Sequence, residues 1–240
     1  MAKIYGKAGK SARMIADNRL WIRRTLLLIS IGAVLLIMWM ILNTSFTVKG
    51  IASVIFSLLA IAALKWIEHT TIQTDDELHM LTCNANRGAR GEEAIATLLR
   101  TLPDDYSVFH DLEKIAGDID HIVVGPTGLF VIETKAHGGK VHAEGNQVLL
   151  KGRLPEKDFI AQSWRNAYWV RDVLKNTAEI NIKVKPILVF TNAFVTVRDP
   201  VKGVRVINKK FLVETIIRDP RTDFPIARVV DILKQKLGSE

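Results

Sequence analysis

Ile119-Asp120-His121-Ile122-Val123-Val124-Gly125-Pro126-Thr127-Gly128-Leu129-Phe130-Val131-Ile132-Glu133-Thr134-Lys135 is the stretch that decides how this chain is read. Two apolar runs flank Gly125-Pro126-Thr127-Gly128, and glycine and proline between such runs mark a chain reversal, so a β-hairpin is expected. Side chains alternate along a strand, which puts Glu133 and Lys135 on one face. With a four-residue loop, Val124 pairs with Leu129, and counting back sets Asp120 opposite Glu133. A three-residue loop with a bulge slips that register by one. Opposed positions bring Cβ atoms to about 4.5–5.5 Å, and two carboxylates so placed weaken a sheet unless something neutralises them. A hard divalent cation does that, since Mg2+ is typically held by one or two carboxylates with water and substrate phosphate.

Upstream, Gly91 to Leu102 carries Ile95, Leu98, Leu99 and Leu102 at helical spacing. Glu92 extends that apolar face toward the expected sheet; equally, it could serve the helix N-terminus through the dipole, and spacing does not choose. Tyr106 to Leu112 reads as a strand, and Asp118, one pair beyond Asp120, as a surface acid. Downstream, a helix is expected from Asp158 to Asn176, with Ile160, Trp164, Ala167, Val170 and Leu174 on one face. Ile187 to Phe190 is a strand of the kind buried on both faces, Val204 to Ile207 a further strand, and Lys209 to Ile217 and Ile226 to Leu237 closing helices. The order predicts an α/β domain, a mixed sheet flanked by helices.

Other candidate chemistry is weaker. Gly138-Gly139-Lys140 reads as a turn without Walker spacing. His110, His121, His137 and His142 match no common zinc pattern and read as surface or satisfied histidines. Trp164, Tyr168 and Trp169 read as core and rim. Cys83 has no partner motif, and a single cysteine excludes an intrachain disulfide framework.

The formal charge of +8 comes from the amino-terminal end. Residues 1–24 hold seven bases against Asp17, whereas residues 68–240 balance 24 bases with 24 acids. Thr25 to Leu42 is an uncharged run of 18 residues and Gly50 to Leu64 one of 15, separated by Asn43 to Lys49. An 18-residue helix rises about 27 Å, close to the hydrocarbon thickness of a bilayer. The sequence therefore predicts a basic cytoplasmic segment (1–24), a two-span transmembrane hairpin (25–67), a partly helical connector (68–87) and a domain (88–240). The excess of bases before the first run puts both ends in the cytoplasm. Within the domain, residues 68–134 hold 4 bases and 13 acids, residues 135–210 the reverse bias, 15 and 6. The two halves could simply attract one another as solvated surface, or set a basic wall beside an acidic site.

Gly88-Ala89-Arg90-Gly91-Glu92, the hairpin segment Ile119 to Gly128 and Val131-Ile132-Glu133-Thr134-Lys135 together resemble the NERD (nuclease-related domain) family, grouped with the PD-(D/E)xK nuclease-like superfamily. The resemblance covers residues 86–215 or so and implies a restriction-endonuclease-like fold. It further implies that Asp120 and Glu133 are metal-binding acids joined by the Thr134 carbonyl, Lys135 the catalytic lysine, Glu92 the helix acid, and Gln162 a substrate-side glutamine on the following helix. The expectation is a membrane-anchored nuclease of the cytoplasmic membrane, using Mg2+ or Mn2+ on nucleic acid, DNA ahead of RNA. The competing expectation is a membrane-tethered binding or scaffolding module that keeps the fold without turnover.

Overall fold

The computed structural model describes residues 1–9, residues 82–237 apart from 115 and 116, and scattered helical positions between 21 and 39 and at 65 and 80. Two units separate, residues 1–12 with 87–240 and residues 13–86. The first carries β1 (Lys3–Tyr5), α1 (residues 82–99, completed from the other unit), β2 (Ser107–Lys114), β3 (Gly117–Gly125), β4 (Gly128–Glu144) and β5 (Gln147–Leu150). It continues through α2 (Phe159–Ala178), β6 (Val184–Val195), β7 (Arg205–Asn208), a 3-10 turn (Lys209–Phe211), α3 (Leu212–Ile217) and α4 (Ile226–Leu237). The strands form one seven-stranded mixed sheet in the order β1-β2-β3-β4-β6-β7, with β5 on the far half of β4.

Alternation along the strands supplies two apolar faces. Val108, Val123, Phe130, Ile132 and Val189 meet Ile95 and Leu99 of α1 and Leu212 of α3. Phe109, Ile122, Val124 and Val131 meet Val170 and Leu174 of α2 and Val229 and Leu233 of α4. Each such side chain is worth about 1.5–3 kcal/mol on full burial, so these faces hold the layers together. The helices and strands expected from periodicity form, but α1 begins nine residues before Gly91, β4 runs nine residues beyond Lys135, and β5 was not expected.

Three features depart from that reading. Residues 1–9 are more than a basic arm: β1 pairs in parallel with β2, Ile4 beside Val108 and Tyr5 beside Phe109. Gly138-Gly139-Lys140 is no turn. β4 runs on to Glu144 with an irregularity between Lys135 and Gly138, and Lys151 lies over Gly139 (φ +104), where a Cβ would be 2.7 Å from its Cγ. A glycine in a strand often marks such a close approach. The hairpin has the expected register but a shorter loop, Pro126-Thr127 between paired Gly125 and Gly128.

Among the described residues, no helix is long and apolar enough to cross a membrane. The run 50–64 lies outside the described residues, and of the run 25–42 only scattered positions are described, all helical. Most of the connector 68–87 is likewise outside them.

Candidate functional site

The site lies on the half of β4 nearest α2. Asp158 caps α2 by accepting from the Ala161 amide at 2.9 Å, and from that start Gln162 and Asn166, four residues apart, project on one face. Glu133 is 2% exposed and receives three donors. Its Oε1 accepts from Lys135 Nζ at 2.7 Å and Gln162 Nε2 at 2.6 Å, its Oε2 from Asn166 Nδ2 at 2.9 Å. Lys135 also donates to Gln162 Oε1 at 3.2 Å and stands 4.9 Å from the centre of the Phe159 ring. A buried carboxylate costs several kcal/mol unless paired and hydrogen-bonded, and this one is both.

Asp120 works differently. The β3–β4 ladder runs from Gly125 and Gly128 to His121 and Ile132 and then stops, one pair before Asp120 and Glu133 would meet. Asp120 Oδ2 instead accepts from the Thr134 amide at 2.6 Å, so a carboxylate replaces the carbonyl that a continuing strand would supply. Within a strand a residue's N–H and C=O leave on the same edge, so the Thr134 carbonyl faces the same gap. The β2–β3 ladder also skips a pair here, the one in line between Asp111 and Asp120, and Asp111 adopts φ 55. Asp111, Asp120 and Glu133 therefore occupy one row across three adjacent strands.

Glu92 of α1 joins this row electrostatically. Burial first and then Asp111 push its carboxyl up to about 7, with Glu133 adding to the effect and a Gly9 backbone hydrogen bond and Lys135 opposing it. Burial, Glu133 and Glu92 raise the Asp120 carboxyl well above the usual range, against the Thr134 hydrogen bond and Lys135. Four acids thus lie near Lys135, with Lys114 also close to Glu133. All candidate donors are oxygens, which suits Mg2+ or Mn2+ in kind rather than zinc or copper. Among the described residues, however, no three His, Cys, Asp or Glu side chains close on a common point. The reason is visible at Glu133, whose oxygens are turned to Lys135, Gln162 and Asn166.

Every residue singled out from the sequence, Glu92, Asp120, Glu133, Thr134, Lys135 and Gln162, is brought into this neighbourhood. Asn166 and Asp111 were missed. Asn166 was legible as the α2 position one turn beyond Gln162, whereas Asp111 needed the β2–β3 register. The histidine reading needs correction. His110 and His121 are buried, their Nδ1 atoms 2.8 Å apart, and both Nε2 atoms lack a partner among the described residues. Burial holds the His110 ring down at about 4 and the His121 ring well below the usual range. Trp164 and Tyr168 do form the rim, stacked at 5.0 Å with the Trp164 indole donating to the Lys202 carbonyl.

Residues 87–191 match the family model NERD, the nuclease-related domain. No curated protein and no solved structure matches the chain. The seven-stranded mixed sheet with helices on both faces fits a nuclease-like fold.

Proposed function

We propose that the protein is a membrane-anchored, metal-dependent nuclease that hydrolyses phosphodiester bonds, DNA ahead of RNA. The observation that carries this reading is the convergence of Asp120, Glu133 and Lys135 where the hairpin splays, inside the segment that matches a nuclease-related domain. Asp120, Glu133 and the Thr134 carbonyl would hold Mg2+ or Mn2+, with Glu92 completing the acid set. A bound ion supplies charge for the phosphate and acidifies water. Lys135 is placed to orient that water and to stabilise charge developing in the transition state, and Gln162 to contact substrate. Bases ring the acids: Lys114 of β2 feels both Glu133 and Arg165 of α2, while His137 feels Lys135, Arg87 and Lys151. A phosphate backbone over an acidic metal site needs such a surround.

Two observations support the membrane anchor and its sidedness. The helical positions described between 21 and 39 expose Trp21, Leu28, Ile29, Leu35, Met38 and Trp39, apolar surface that water does not favour and lipid accepts. β1 and the domain share one sheet, which fits a two-span hairpin between them that would leave residues 1–9 and 87–237 on one side of the membrane. The seven bases ahead of the first run make that side the cytoplasm.

The test is incubation of the full chain in detergent micelles with plasmid, linear duplex, single-stranded DNA and RNA, with Mg2+, Mn2+ or chelator. Cleavage that needs the metal and disappears in Asp120→Ala and Glu133→Ala is expected. A second reading, a nucleic-acid-binding or scaffolding module without turnover, is favoured by the closure of Glu133 on Lys135, Gln162 and Asn166. Metal-independent binding of nucleic acid without cleavage would select it.

A further inference from the structure

The amino-terminal nine residues reach further than their strand. β1 lies in register on β2, Lys3 beside Ser107, and the Lys3 amide donates to the Tyr106 carbonyl at 3.0 Å. Tyr5 stacks on Phe109 at 4.9 Å, with Lys234 Nζ 5.0 Å from the centre of its ring. Ala2 and Ala8 are buried. Two glycines make the fit. At Gly6 (φ +77) a Cβ would overlap the His110 carbonyl oxygen. At Gly9 (φ +74) a Cβ would come within 3.2 Å of both Cα and Cβ of Ala89. Ala89 precedes Glu92 by three residues, about one helical turn, and the Gly9 backbone hydrogen-bonds the Glu92 carboxyl. Gly9 therefore sits against the α1 turn that carries Glu92, an acid of the site.

We propose that Met1–Gly9 is a clasp that positions Glu92, so that the acid site is complete only while the clasp is docked. The segment adds Ala2, Ile4 and Tyr5 to the two core faces, and what it supplies to the site itself is a backbone donor at Glu92. The proposal rests on the reading of Glu92 as part of the site, and the clasp and that reading can fail separately.

The experiment uses the full chain in micelles. Gly6→Val sets a branched side chain against a backbone oxygen at positive φ and undocks the clasp, and Lys7→Ala, at an exposed position, is the control. One readout is carbodiimide-driven labelling of the Glu92 carboxyl, located by peptide mass. The other is Mn2+ affinity by calorimetry, measured for Gly6→Val with Glu92 and with Glu92→Gln. Undocking is expected to raise labelling about fivefold and to weaken Mn2+ binding about tenfold with Glu92 present, but less than about twofold with Glu92→Gln, because a clasp acting through one residue shows as non-additivity. A synthetic peptide of residues 1–12 in excess restores both values. Unchanged labelling and affinity in a Gly6→Val chain whose first residues have become protease-sensitive overturns the proposal, as does an equal loss in both backgrounds. If the unaltered chain binds no Mn2+, the nuclease reading fails, and labelling alone still decides the clasp. Should Gly6→Val not fold, Gly9→Ala carries the same cycle from the other glycine.

Discussion

Buried and half-buried carboxylates lie at the two ends of the Gly128–Lys135 half of β4, about 23 Å apart by strand rise, and they are treated in opposite ways. At the Gly128 end, Asp219 receives Lys185 Nζ at 2.7 Å and the Arg205 guanidinium, and Lys185 also donates to the Thr127 carbonyl at 2.8 Å. Burial alone would raise the Asp219 carboxyl, but the bonds from Lys185 and Arg205 outweigh it and hold the group below its ordinary value. One acid with two cations ties the hairpin turn to β6 and β7, and nothing is left over for a ligand. At the Lys135 end, Glu133 bonds Lys135 and feels Lys114, while the carboxyls of Glu92 and Asp120 are raised by burial and by neighbouring acids. Burial opposes ionisation at both ends; the balance of charge differs. The matched set at Asp219 is structural, and under the proposed reading the acids at the other end are where a cation binds.

The largest expected effect tests the role of Lys135. Lys135→Ala should reduce cleavage roughly 100- to 1000-fold, about 2.7–4 kcal/mol, while Mn2+ affinity by calorimetry holds or tightens, because Glu133 loses its counter-charge. Lost Mn2+ binding in that variant would make Lys135 a structural partner like Lys185. Next, Asp219→Ala should lower stability by about 2–3 kcal/mol in thermal unfolding, less than a fully buried pair would cost because Arg205 is partly exposed. The same measurement on Asp120→Asn, which keeps an acceptor for the Thr134 amide and removes the charge, should instead raise Tm in chelator. A drop there would erase the contrast between the two ends.

A smaller effect comes from pH. His110 titrates at about 4 in the fold, against an ordinary value of 6.5. The unfolded chain therefore binds the extra proton between those values, and the stability present above pH 6.5 drains away as pH falls toward 4. His110→Phe should flatten that limb of the stability curve, and an unchanged limb would assign it to other groups.

Much of the domain was legible because its signals are local. Gly-Pro-Thr-Gly between apolar runs placed the hairpin, and the register counted from it survives, even though the loop is two residues rather than four. Alternation placed Glu133 and Lys135 on one face, the register counted from the turn brought Asp120 to them, and the family resemblance supplied their roles. β1 was not legible, since Lys3–Tyr5 is three residues that find their partner some hundred positions away, and nothing in a tripeptide announces a parallel edge strand. Alternation puts His121 on the face opposite Asp120 but does not reveal it as one half of a buried imidazole pair, which depends on β2 supplying His110 directly across from it.

By itself, the sequence determined the order of strands and helices from α1 onward, β5 aside, the face each of those strands presents and the presence of two carboxylates and a lysine within one hairpin. Those properties repeat with the periods of the backbone, 2 along a strand and 3.6 along a helix, and need no distant residue. Only the tertiary structure decided that Asp120 bonds the Thr134 amide rather than facing Glu133 across a continuous ladder. It also decided that Gln162 and Asn166 close over Glu133, and that Gly9 reaches Glu92. Each of these joins segments whose separation in sequence carries no periodic signal. Each is settled by packing: a buried acid must find its partners among whatever groups the fold brings to it.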